Sequence, residues 1–176
     1  MIRHPGRLGP QHPVDTGREQ TLREVGRRVA VLARPHPGWA IMLGRQGSDG
    51  HLTDIDVRYH QGSEHRLLVR TTRPAPAGAR IWSLVSLEGF LRTYVANHDD
   101  DPADPADPAV ADGTGPATLH LDGASVPAVR ITRGGFFALS ATDGDETFSV
   151  AGTIDLEGLA RELSFDTTGT RPRTGR

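Results

Sequence analysis

Leu52-Thr-Asp-Ile-Asp-Val-Arg-Tyr-His60, Gln61-Gly-Ser63, Glu64-His-Arg-Leu-Leu-Val-Arg-Thr-Thr-Arg73: the reading of this stretch decides the fold. Ile55, Val57 and Tyr59 alternate with Asp54, Asp56, Arg58 and His60. On a strand, alternate side chains point to opposite faces, so the first segment has one apolar and one polar face. The Gln61-Gly62-Ser63 loop turns the chain back. A three-residue loop pairs Tyr59 with His65, Val57 with Leu67 and Ile55 with Val69, which keeps both apolar rows together. A two-residue loop at Gly62-Ser63 would slip the register by one and bring Arg66 and Arg70 among apolar groups. The expected register sets Arg70 opposite Asp54 and Arg66 opposite Arg58, a solvated ladder of charges.

Outward from this hairpin, the chain divides by composition. Residues 1–15 are polar and proline-rich and read as a disordered lead-in. Thr16 with Glu19 forms a capping box, which predicts a helix to about Arg34 with Leu22, Val25, Val29 and Leu32 on one stripe. Trp39-Ala-Ile-Met-Leu43 predicts a strand, Gly44–Gly50 a loop, and Ile81-Trp-Ser-Leu-Val85 a further strand. Ser86 caps a second helix bearing Leu87, Phe90, Leu91, Tyr94, Val95 and His98 at helical spacing. Residues 16–98 thus form a helix, sheet and helix half.

Asp99 to Pro116 repeats Asp, Pro and Ala and reads as an extended acidic linker, since proline lacks an N–H and the charges repel. Residues 117–166 read as a four-stranded meander with turns at Asp122-Gly123, Gly134-Gly135 and Asp143-Gly144-Asp145, then a short helix over Asp155–Leu163. The tail from Thr167 reads as frayed. The fold class expected is α+β: mainly antiparallel, about eight strands in two halves of similar ββββα outline, and three helices.

Charge is unevenly placed. The net formal charge of -2 hides 14 Arg against 8 acids in residues 1–98 and 6 Arg against 14 acids in residues 99–176. There is no cysteine, so disulfides, thiol nucleophiles and Cys-ligated zinc are excluded. All 20 basic residues are Arg, which removes a Walker A lysine and Schiff-base chemistry. No apolar h-region or 18-residue apolar run is present, so the expectation is a cytoplasmic protein without a membrane anchor.

The residue types with chemical potential are few. Asp54, Asp56 and His60 share the polar face of the hairpin and are the candidate acid–base residues, with Asp54 and Asp56 as candidate metal ligands. Against this, Asp54 and His60 lie about 20 Å apart along the strand, and Arg residues face the acids. Arg23 and Arg27 on the expected first helix could contact an acidic partner or a nucleic-acid backbone, though Glu19 and Glu24 interrupt the patch. Phe136 and Phe137 are adjacent on an expected strand, so one should face outward as a partner anchor. No fixed-spacing catalytic motif is present. The expectation is a non-enzymatic protein-interaction module, bound to an unknown protein or to a second copy, with no cofactor. A metal-dependent enzyme using the hairpin acids is the alternative, and a nucleic-acid binder the third reading.

Overall fold

A computed structural model describes residues 6–7, 28–34, 38–46, 52–62, 64–72, 79–97 and 112–166. Among these, one curled sheet of ten strands organises the molecule. The strands are β1 (Gly6–Arg7), β2 (Val29–Leu32), β3 (Trp39–Gln46), β4 (Leu52–Gln61), β5 (Glu64–Thr72), β6 (Gly113–Leu121), β7 (Ala124–Arg133), β8 (Phe136–Asp143), β9 (Glu146–Thr153) and β10 (Glu162–Asp166). Their order across the sheet is β1-β3-β4-β5-β9-β8-β7-β6-β10-β2. All neighbours are antiparallel except β10 and β6. Two α-helices accompany the sheet among the described residues: α1 (Ala79–Ala96) and the single turn α2 (Glu157–Ala160), which follows a 3-10 turn at Ile154–Leu156.

The architecture is therefore mostly β and mixed, not α+β with three helices. Two local misreadings account for the difference. Val29-Ala-Val-Leu32, expected in the first helix, is a strand whose four residues are all buried. A strand covered on both faces needs no alternation, and four consecutive apolar residues fit it as well as they fit a helical stripe. Residues 16–27 of that expected helix lie outside the described residues. Ile81–Val85, expected as a strand, belongs to α1, because a short apolar run carries no periodicity that separates the two states. The strand β10 falls where the last helix was expected to finish, and β6 begins at Gly113, inside the stretch read as linker. The β5–β9 pairing makes one sheet of both halves; in chain order β2 to β5 precede α1 and β6 to β9 precede α2, with β10 added after it.

The meander β6–β9 follows its turn residues. Asp122 and Gly123 have φ of 49° and 81°, and Gly134 and Gly135 have 52° and 79°. Both pairs occupy the left-handed region required at the two central positions of a type I′ hairpin turn.

Curling closes the concave side. β2 stands at the end of the strand order, yet its Ala30 N–H donates to Thr71 Oγ1 of β5 at 3.0 Å and its Leu32 N–H donates to Tyr59 Oη of β4 at 2.9 Å. Two side-chain hydroxyls thus satisfy an edge that would otherwise bury unpaired donors. The concave core holds Tyr59, Leu67, Leu119, Phe137, Leu139, Phe148, Val150 and Leu163 around β2. Gly152 belongs to this face for steric reasons: a Cβ there would stand 3.1 Å from both Arg66 O and Phe137 Cε1.

The outer face carries a second core. Leu87, Phe90, Leu91 and Tyr94 of α1 pack on Leu68, Ile131, Ala138 and Ala151. The helical spacing of these four residues is the one expected from the sequence.

Candidate functional site

The β4–β5 hairpin closes at the pair Gln61–Glu64, and a bulge follows between Tyr59 and His60. Arg66 is the extra residue, since His60 pairs with His65 and Tyr59 with Leu67. The two-residue turn set the apolar rows out of phase, and the bulge restores them. Tyr59, Val57 and Ile55 consequently face Leu67, Val69 and Thr71, two residues further along β5 than the three-residue loop would place them.

That shift rearranges the charges. Arg70 is opposite Asp56, not Asp54. It donates to both carboxylate oxygens, from Nε to Oδ1 at 2.6 Å and from Nη2 to Oδ2 at 2.9 Å. The Asp56 side chain is 2% exposed and that of Arg70 16%. The guanidinium carbon also lies 5.0 Å from the Phe90 ring centroid of α1. Burial alone would lower the Arg70 pKa, but hydrogen bonding and charge from Asp56, with Asp54 adding, hold it above its ordinary value. This is a bidentate, desolvated pair under a helix, not a rung of a solvated ladder.

The other expected site residues are dispersed. Asp54 is opposite Thr72 and accepts from its Oγ1 at 2.6 Å. His60 sits on the same outer face, beyond Arg58, opposite Trp39 on β3. Among the described residues no group of three or more His, Asp or Glu could hold a metal ion. Phe137 is fully buried in the concave core. Phe136, its neighbour, is half-buried and meets Tyr94 edge-on with centroids 6.0 Å apart. The outward phenylalanine is thus covered by α1. Arg23 and Arg27 lie outside the described residues.

Arg58 is the residue that the sequence reading passed over. The cross-sheet row Ile131, Ala138, Ala151, Leu68 runs beneath α1, and the next residue in that row, on β4, is Arg58. A guanidinium thus interrupts the row, which continues to Ile41 on β3. Seven described arginines are half-buried, and six have acidic partners. Arg28 binds Asp143 and Glu146, Arg66 binds Glu64 and Asp155, and Arg70 binds Asp56. Arg130 and Arg161 bind Glu157, and Arg133 lies 3.7 Å from Glu88. Arg58 has none among the described residues, and its Nε is a buried atom without a hydrogen-bond partner. A buried donor left unpaired costs free energy, and such a group in a folded protein calls for an explanation. Two more buried polar atoms without partners belong to the neighbouring strands: Arg66 Nε on β5 and Thr153 Oγ1 on β9.

No family model matches this chain, no curated protein matches its sequence and no solved structure matches its fold. Among the described residues, no helix is long and apolar enough to cross a membrane.

Proposed function

We propose that this protein is a non-enzymatic interaction module, and that it meets its partner through the outer face of β4 beside α1. One contrast carries the reading. Asp56, the most buried of the candidate acids, has both oxygens occupied by Arg70, while Arg58, one step along the same face, is half-buried with no partner among the described residues. A carboxylate clamped by a guanidinium is poorly placed to shuttle protons or take a metal, because either role must displace a bidentate pair. A half-buried guanidinium with an unmet donor is suited to a partner that supplies the missing acceptor. Arginine is enriched where interfaces concentrate their binding energy, because it combines apolar stem, planar head and multiple donors.

The test is capture from native lysate with a photo-crosslinking residue at position 60. Wild type, Arg58→Glu and Arg92→Glu baits are compared, Arg92 being an exposed arginine on α1. The reading predicts a protein crosslinked by wild type and Arg92→Glu and lost with Arg58→Glu. Equal capture by all three baits contradicts it. Metal-specific thermal stabilisation abolished by Asp54→Ala would instead support metal-dependent chemistry at the hairpin.

A further inference from the structure

We propose that Arg130 and Arg161 form an accessible binding point for a phosphate group, free or carried as an ester on a small molecule. The point lies on the concave face, opposite to the face that carries Arg58, and does not depend on the interaction reading above. Arg130 is on β7, where the register sets it at the end of the concave row Val57, Val69, Val150, Leu139. Arg161 directly follows α2. Glu157 ties the two together. Arg130 donates to it from Nε to Oε1 and from Nη2 to Oε2, both at 2.7 Å. Arg161 donates from Nη2 to the same Oε1 at 2.6 Å. An acceptor oxygen shared at these distances brings the two guanidiniums into one patch. Two positive charges thus meet one negative charge. The neighbouring acids in sequence are engaged elsewhere: Asp155 binds Arg66 at 2.9 Å, and Glu162 lies 3.9 Å from His120. One positive charge is left uncompensated among the described residues.

The patch has donors to spare and room in which to use them. Arg130 Nη1, Arg161 Nε and Arg161 Nη1 bond to nothing among the described residues, and none of the three is a buried atom. The two side chains are 30% and 35% exposed. Directly opposite Arg130 on β6 is Gly115. Its backbone is outside the left-handed region, its register is unbroken, and a Cβ there would meet no atom within 4 Å. Neither conformation nor packing within the chain calls for a glycine at this position, and a glycine inside a strand often marks the close approach of a ligand. It leaves the space beside Arg130 open. Geometry favours phosphate over carboxylate. Glu157 shows what a carboxylate does here, since one guanidinium fork, that of Arg130, occupies both of its oxygens. The unused donors belong to two forks, and a tetrahedral oxyanion has enough oxygens to accept from both at once.

The experiment is isothermal titration calorimetry on the full chain with inorganic phosphate, phosphoserine and sodium acetate, at one ionic strength set with sodium chloride. Phosphate, phosphoserine or both should bind saturably, and acetate about tenfold more weakly. Binding of both ligands assigns the phosphate group itself, and binding of one alone assigns the free ion or the ester. Arg161→Gln should weaken binding about tenfold, and Arg161→Lys, which keeps the charge and loses the fork, severalfold. Gly115→Ala places a methyl group in the open space and should weaken binding severalfold while leaving urea unfolding unchanged. Arg92→Gln on α1 and Arg58→Glu should bind as wild type does. Absence of saturable binding to phosphate and phosphoserine overturns the site, as does wild-type affinity in both Arg161→Gln and Gly115→Ala. Acetate binding as tight as phosphate overturns the phosphate assignment. The two proposals fail separately, because Arg58→Glu enters both experiments. Phosphate binding with capture indifferent to position 58 discards only the interaction face, and capture lost in Arg58→Glu without phosphate binding discards only this site.

Discussion

Arg70 and Arg58 sit on adjacent strands and on the same face, and the molecule treats them oppositely. Arg70 has a carboxylate opposite, two short hydrogen bonds and an aromatic ring against its guanidinium. Arg58 has an apolar residue, Leu68, opposite it and no acidic partner among the described residues. The desolvation cost of each is of similar kind, but only the first is offset within the chain. The difference separates a charge compensated within the chain from one that, among the described residues, is not. Residues that a fold would be more stable without are often those retained for function.

The comparison breaks first at Asp56. Asp56→Ala should cost about 3–5 kcal/mol, because it leaves Arg70 buried without its carboxylate. Chemical denaturation would measure the loss, and a cost below about 1 kcal/mol would mean that the pair contributes as little as a surface one.

Glu157 offers a smaller effect with a pH signature. It accepts from Arg130 through both oxygens at 2.7 Å and from Arg161 at 2.6 Å. Burial alone would raise its pKa, but these two arginines outweigh that and hold it below the ordinary 4.5. A depressed carboxylate stabilises the fold fully above its unfolded pKa, and that contribution is lost as pH falls through the lower folded value. Glu157→Gln should therefore cost roughly 2 kcal/mol at neutral pH and flatten the acid limb of a stability profile below about pH 4.5. An unchanged acid limb would show that other carboxylates govern it.

Asp54→Ala should have the smallest effect, about 1 kcal/mol in urea unfolding, since it removes a hydrogen bond from Thr72 at 2.6 Å and leaves no buried charge. A loss as large as that of Asp56→Ala would erase the distinction between the clamped acid and its neighbour.

What could be read from residues alone follows how locally each feature is determined. The turns at Asp122-Gly123 and Gly134-Gly135 and the buried face of α1 were legible, because a positive φ and a helical period are properties of a few consecutive residues. β2 was not, because Val29–Leu32 is strand-like only in the presence of β10 on one edge and the hydroxyls of Thr71 and Tyr59 on the other. The hairpin register lay between these cases. Alternation correctly separates the apolar from the polar face of β4, but the bulge at Arg66 moves the partners by two residues without changing faces. A two-residue offset is invisible to a period of two. It transfers Arg70 from Asp54 to Asp56, and it gives Arg58 a leucine in place of Arg66. The conflict between a short Gly62-Ser63 turn and the phase of the apolar rows was the available signal, and a bulge was its other solution.

The central claim is that Arg70 is architectural and Arg58 is not, and paired substitutions test it most directly. Arg70→Met and Arg58→Met are compared by equilibrium urea unfolding in one buffer. Arg70→Met leaves Asp56 buried and unpaired and should cost about 3–5 kcal/mol. Arg58→Met removes an unsatisfied buried donor while keeping an apolar stem over the same row, and should be neutral or stabilising by about 1 kcal/mol. If Arg58→Met costs as much as Arg70→Met, Arg58 is holding the fold together, and the account fails.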